Sequence, residues 1–281
     1  MFSRVYVEIT NVCNLACDFC PGTTREKGFM TPEVFAQLAE KLRPYTDYLY
    51  LHVMGEPLLH PQLADILRIC GERGYRVCIT TNGTLLAERL ALLRECPALH
   101  KVSVSLHSFE GNGGSEGLER YVAQAAESCR VLASGGVICA LRLWNQGGAD
   151  AENARILRTL AQIMKTDVAA LPADRVGNRR LAENLFLEEG ERFDWPHPDR
   201  EEGDTQFCYG LRRQIAVLRD GTVTPCCLDS EGRLALGNLL TEGLDDILNK
   251  PRAAAIRRGF DARRPAEALC RRCGYAARFN R

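Results

Sequence analysis

Neither sign of charge prevails in this chain: 36 lysines and arginines stand against 36 aspartates and glutamates. Without a net field there is no general attraction for nucleic acid or an anionic membrane. No apolar run approaches the roughly 20 residues that cross a bilayer. The opening Met1-Phe2-Ser3-Arg4 lacks the charged and apolar zones of an export signal, which predicts a cytoplasmic chain. Aromatics are sparse at 7%, with two tryptophans, and no interleaved aromatic and basic stretch suggests RNA binding. What the chain does have is cysteine, 13 in 281 residues. A small secreted domain would use them as a disulfide framework, but a longer chain without an export signal uses them for metal or redox work.

Short β-branched runs alternate with helical periods. Strands are expected at Val5–Thr10, Tyr48–Val53, Arg76–Thr81, Lys101–Leu106, Val137–Leu143 and Asp167–Leu171. Between them, Thr31-Pro32 reads as a helix cap and first turn. Leu63, Ile66, Leu67 and Cys70 form one helical stripe stopped by Gly74, and Leu118, Val122, Ala125, Cys129 and Leu132 form another. Further helices are expected over 85–95 and from Asp150. Six β–α repeats imply a parallel sheet with right-handed crossovers, short of the eight that close a barrel. The fold class expected is therefore α/β, an open (β/α)6 partial barrel of the TIM type with functional residues at the carboxyl ends of its strands. The rhythm breaks after Arg180. Three parts are expected: the partial barrel over 1–187, an acidic Pro/Gly-broken linker or lid over 188–207 holding Trp195 and His197, and a small cysteine-rich α+β domain over 208–281. That last part opens on a hairpin around Asp220-Gly221, followed by a helix from about Leu244 to Arg258.

Cys13, Cys17 and Cys20 follow the first strand as C-x3-C-x2-C, with Phe19 before the last cysteine. Three thiolates this close can take three corners of an iron–sulfur cube, leaving one iron open. The alternative is a zinc loop with a distant fourth ligand. The motif resembles that of the radical S-adenosylmethionine (SAM) superfamily. The resemblance implies a [4Fe-4S] cluster on these three residues, and SAM chelating the open iron. It also implies reductive cleavage to a 5′-deoxyadenosyl radical that abstracts hydrogen from a substrate carbon. Gly55-Glu56, after the second strand, resembles the family's contact to the SAM amino group. Phe19, Asn82 and Ser105 fall at matching strand ends, Arg142 is placed to meet the SAM carboxylate, and Leu171 to offer backbone to the adenine. His107 stands where relatives carry an acid.

A second set lies at the carboxyl end: Cys208, Cys226-Cys227 and Cys270-x2-Cys273. It resembles the auxiliary-cluster domain of radical SAM dehydrogenases and peptide maturases, of twitch or SPASM type. That implies one auxiliary [4Fe-4S] cluster on Cys208, Cys226, Cys270 and Cys273. Cys227 is left as neighbour or alternate ligand, and a zinc knuckle is the other reading. The eight residues after Cys273 hold no further cysteine. Nine arginines from Pro251 onward, against Asp261 and Glu267, would suit an acidic flavodoxin- or ferredoxin-like electron donor. The other five cysteines, Cys70, Cys78, Cys96, Cys129 and Cys139, read as small buried hydrophobes. A filled auxiliary cube suits electron acceptance, which points to a net oxidation of a small molecule or peptide. Glu8, His52 and Asp229 are the candidate bases. A two-cluster electron carrier and a radical RNA-modifying enzyme are the competing readings.

Overall fold

The computed structural model describes residues 1–148, 150–203 and 205–279. The first helix shows why the elements form where they do. Thr31 accepts from the Val34 amide as N-cap, Pro32 presets the first turn, and Phe35, Leu38 and Leu42 recur on one fully buried face. Each such side chain contributes about 1.5–3 kcal/mol on burial. The chain runs β1 (Arg4–Val7), α1 (Pro32–Leu42), β2 (Tyr48–Tyr50), α2 (Leu63–Glu72), β3 (Arg76–Thr81), α3 (Leu86–Arg94) and β4 (Leu99–Ser105). It continues through a single turn α4 (Ser108–Gly111), α5 (Leu118–Ser134), β5 (Ile138–Gln146), α6 (Asn153–Met164), β6 (Asn178–Ala182) and β7 (Leu185–Glu191). The remaining elements are β8 (Gln214–Val217), β9 (Thr222–Thr224), β10 (Gly237–Asn238), α7 (Leu244–Asn249), α8 (Pro251–Asp261) and α9 (Ala268–Arg271).

The strands form one sheet in the order β10-β9-β8-β1-β2-β3-β4-β5-β7-β6. The span from β8 to β7 is parallel, while β9, β10 and β6 add antiparallel edges. This is the open partial barrel expected from the β–α rhythm, with a cysteine-rich appendage. Strand alternation gives it two faces. Val5, Val7, Leu49, Leu51, Val102 and Val104 lie in the core under the helices. Tyr6, Tyr50, Cys78, Ser103, Arg142 and Glu188 line a cavity on the other face. No helix is long and apolar enough to cross a membrane among the described residues.

Four expectations change. Residues 167–171 are a turn, not the sixth strand; only Val168 in that run is β-branched, and Pro172 follows it. The sixth parallel strand is β7, reached through the β6–β7 hairpin that turns at Asn184, φ 56°. The acidic stretch expected as linker accordingly begins inside the sheet, with β7 running to Glu191. Glu188 accepts there from Lys101 at 2.8 Å and Arg142 at 2.7 Å. The long helix expected from Leu244 is broken at Lys250, whose ψ of 151° is extended, because the following Pro251 disfavours a helical residue before it. Finally, β8 pairs in parallel with β1 over four residues, so the cysteine-rich part is continuous with the barrel sheet.

Candidate metal centre and adjoining cavity

The first cysteine loop leaves the end of β1 and is fastened on three sides. Asn11 accepts from the Gly28 amide at 2.9 Å and donates to the Glu26 carbonyl at 3.0 Å, closing the loop's neck. The Ala16 amide donates to Asn112 Oδ1 at 2.8 Å, and the Asp18 amide to the Gly111 carbonyl at 2.7 Å. Asn82, at the end of β3, donates to Asn14 Oδ1 at 2.9 Å and reaches Cys13 Sγ at 3.9 Å. Burial, with Cys20 and Cys13 adding to it, pushes the Cys17 thiol up to about 12. The three thiols are thus near enough to feel one another, and binding a metal there would release protons. Among the described residues no three cysteine, histidine or carboxylate side chains stand at the spacing of a single ion. A cube spreads its irons so that each thiolate takes its own, and the donor set of three soft sulfurs fits that group.

Gly55 and Glu56 form the next layer. Gly55 has φ 77°, and a Cβ there would meet the Thr10 carbonyl at 2.6 Å and the Val12 carbonyl at 2.8 Å. Glu56 is buried, and its carboxylate is consumed within the protein. It accepts from Leu58 N at 3.0 Å, Thr81 Oγ1 at 2.7 Å and Asn82 N at 2.7 Å. Burial raises this carboxyl against the pull of those three hydrogen bonds. The side chain expected at the SAM amino group is therefore a brace between strand ends. Its own amide holds the Val12 carbonyl of the cysteine loop at 2.8 Å.

The remaining expected contacts divide. Phe19 lines the cavity, its ring 4.9 Å from His107, and Ser105 lines it too. Arg142 lines the cavity but its Nε is tied to Glu188, and its guanidinium lies 4.5 Å from the centre of the Trp144 ring. Leu171 lies on the 167–171 turn, where its carbonyl accepts from Arg179. It is absent from the cavity wall, so the backbone contact expected from a sixth strand has no support in the geometry.

The cavity has a volume of about 690 Å³ and reaches from Phe19 to Cys227 and Tyr275. Of the three candidate bases, His52 lines it. Glu8 is fully buried beneath a bidentate pair with Arg25, at 2.6 and 2.8 Å, and accepts from the Met54 and Arg219 amides. Asp229 caps the Arg233 and Leu234 amides at 2.9 and 2.8 Å, its carboxyl raised by burial. Both are occupied as structural acceptors. His52 Nδ1 is buried with no hydrogen-bond partner among the described residues. Burial, with Arg142 adding to it, holds the imidazole down at about 3. A depressed folded value means the unfolded chain takes the proton first, so stability falls as pH drops below 6.5 and goes on falling toward 3. Between pH 7.5 and 5.5 His52 alone should remove about 1.4 kcal/mol. His107, held near 4 by burial, steepens the same slope. Urea melts of wild type and His52→Phe at both pH values check this: the variant should lose less stability on acidification, and equal losses would show that His52 is not the source.

The carboxyl-terminal cysteines form a second site. Cys208, Cys226, Cys270 and Cys273 line one small cavity. Burial raises the Cys226 thiol, and Cys208, Cys227, Cys273 and Cys270 add to it. Cys227 lines the large cavity instead and hydrogen-bonds Tyr6. Gln214, Leu228 and Tyr275 border both cavities. The four-sulfur donor set again suits a cube. Trp195 lines the large cavity against Phe193 at 5.7 Å, while His197 is exposed beside Asp199. Sequence reasoning missed Arg4, Tyr6, Lys101, Trp144 and Arg278, all on the cavity wall. For the first four, inner-face alternation along the strands was the available signal.

Residues 7–133 match the Radical SAM superfamily, and residues 208–274 match an iron–sulfur cluster-binding domain. The chain thus carries a Radical SAM domain, with the cluster-binding domain at its carboxyl end. It is 37% identical over 91 residues to the tungsten-containing aldehyde ferredoxin oxidoreductase cofactor-modifying protein of Pyrococcus furiosus, covering 31% of this chain and 25% of that protein. It is 23% identical over 282 residues to the S-adenosyl-L-methionine-dependent 2-deoxy-scyllo-inosamine dehydrogenase of Niallia circulans, covering 97% and 93%. The match spans only about a quarter to a third of the length of several relatives of higher identity. Among solved structures, BtrN in complex with AdoMet and 2-DOIA superposes with a TM-score of 0.60 at 20% identity, over 97% of this chain and 93% of that one. That likeness speaks to the fold.

Proposed function

We propose that this chain is a radical SAM oxidoreductase that carries out a net oxidation of a small molecule, with Cys13, Cys17 and Cys20 holding the SAM-binding cluster and Cys208, Cys226, Cys270 and Cys273 an auxiliary one. The observation that carries the reading is a single cavity lined both by Phe19 of the cysteine loop and by Cys227, the chain neighbour of Cys226 in the four-cysteine site. A bound cube with SAM supplies one-electron chemistry strong enough to remove hydrogen from an unactivated carbon. The protein supplies position and dryness. Phe19 of the cluster loop and Ser105 line the cavity. Phe193, Trp195 and Arg278, whose guanidinium lies 5.4 Å from the Phe193 ring centre, line it as well. His52 Nδ1 offers a neutral acceptor to a substrate hydroxyl. Its low basicity makes it a positioning group rather than a store for the proton.

The near end-to-end match with a dehydrogenase supports a small-molecule substrate; a peptide is the second outcome the product analysis would distinguish. An acidic flavodoxin- or ferredoxin-like donor fits the arginines of α8 and α9, and oxygen-labile clusters suit a reducing cytoplasm. The deciding assay uses anaerobically reconstituted protein, dithionite and SAM. The expected product is 5′-deoxyadenosine, with deuterium carried into it from a labelled substrate. Intact clusters with no 5′-deoxyadenosine would overturn the reading in favour of an electron carrier.

A further inference from the structure

The cavity wall carries five cationic side chains, Arg4, Lys101, Arg142, Arg192 and Arg278, against two carboxylates, Glu188 and Glu189. Most of these charges are already matched. Glu188 takes Lys101 and Arg142, Glu189 takes Arg179 at 3.0 Å, and Arg192 lies 3.7 Å from Asp18. Arg278 donates to the Glu191 carbonyl and rests over aromatic rings. Arg4 differs. It opens β1 on the same face as Tyr6 and is exposed; among the described residues it makes no ion pair and, unlike Arg278, its side chain donates to no backbone carbonyl. Its neighbours are the phenols of Tyr6, Tyr50 and Tyr275, with a hydrogen bond to Tyr6. Burial holds the Tyr50 phenol up near 12, so these rings bring no formal negative charge at neutral pH. A guanidinium presents five donors in a planar fork and is best satisfied by a carboxylate or phosphate.

We infer that the substrate carries an anionic group, carboxylate or phosphate, that docks on Arg4 among Tyr6, Tyr50 and Tyr275. The inference rests on the function proposed above and names the substrate class for that cavity. Tyr275 also borders the four-cysteine cavity, as do Gln214 and Leu228. An acid seated on Arg4 therefore holds the substrate against the wall shared with the auxiliary site.

The test is equilibrium binding, separate from turnover. Reconstituted full-length protein is titrated anaerobically by calorimetry with inorganic phosphate and, in parallel, with acetate, at fixed ionic strength set by chloride. Wild type is expected to bind one of the two saturably, and the tighter one identifies the group. Losing a charge-assisted pair should weaken that binding about tenfold or more in Arg4→Gln. Arg4→Lys should keep part of the affinity, since charge survives and the fork does not. Arg68→Gln, on the outer face of α2 where Arg68 pairs with Glu72 at 2.7 Å, should match wild type. No saturable binding of either anion, or equal binding by wild type and Arg4→Gln, overturns the inference. Anion binding that depends on Arg4 in a wild-type protein unable to cleave SAM would instead overturn the function and leave the anion site standing.

Discussion

Cys17→Ala is expected to abolish 5′-deoxyadenosine formation, while iron falls from about eight to about four per chain, the content of one cube. Cys17 is the middle member of the trio, its thiol donating to the Ser108 carbonyl at 3.5 Å. It sits between a loop fastened to α4 on one side and to Asn82 on the other. Its removal leaves two thiolates of the trio for four irons. The four-cysteine site is a separate donor set lining its own cavity and should keep its cluster. Cys226→Ala and Cys227→Ala form the matched pair for that site. The first should lose the auxiliary iron. The second should keep it, because Cys227 faces the large cavity and Tyr6. If Cys17→Ala still cleaves SAM at the wild-type rate, the proposed reaction has the wrong centre. If Cys227→Ala rather than Cys226→Ala loses iron, the ligand assignment is reversed.

Legibility in the sequence followed the physics of each segment. The strands from Val5 to Leu143 alternate between an apolar outer face and a polar inner one, and α1, α2 and α5 between them carry apolar stripes, so the parallel sheet could be read directly. The sixth strand could not. Its inner-face residues are Glu188 and Gly190, and the strand beside it carries Arg179 and Arg180. These positions face a polar cavity or pair across strands, with Glu188 bound to Lys101 and Arg142 and Glu189 to Arg179. Charge that reads as linker was in fact balanced inside the sheet. The β8–β1 pairing joins Gln214 to Arg4; nothing local in either strand specifies a partner so distant in the chain. In the site, cysteine spacing located both donor sets. The role of Glu56 was hidden because a carboxylate at that position can face a ligand or brace two strand ends, and only the three donors around it decide. Arg4 was hidden for the opposite reason: it is exposed, and a lone arginine near a terminus looks like solvated surface until strand alternation puts it on the cavity wall.

Gly55→Ala should destabilise the fold by about 3 kcal/mol, combining the left-handed backbone penalty with steric conflict. The conflict falls on backbone, which cannot rotate away. The new methyl would stand 2.6 Å from the Thr10 carbonyl oxygen and 2.8 Å from that of Val12. Those carbonyls belong to the neck of the cysteine loop, so the loop must lift from the end of β2. Lifting it strains the Glu56 amide bond to Val12 and pulls at the carboxylate that ties β2 to β3. Stability and iron loading at Cys13, Cys17 and Cys20 should therefore fall together. Gly22 separates the two causes. It too has positive φ, 64°, but nothing lies within 4 Å of its would-be Cβ. Gly22→Ala should cost only the backbone penalty, about 1 kcal/mol, and keep its cluster. Urea midpoints and iron content of the two variants measure the difference. Equal cost in both would mean that close packing of the loop on the strand end is not what holds the trio in place, and that the brace built from Gly55 and Glu56 is dispensable.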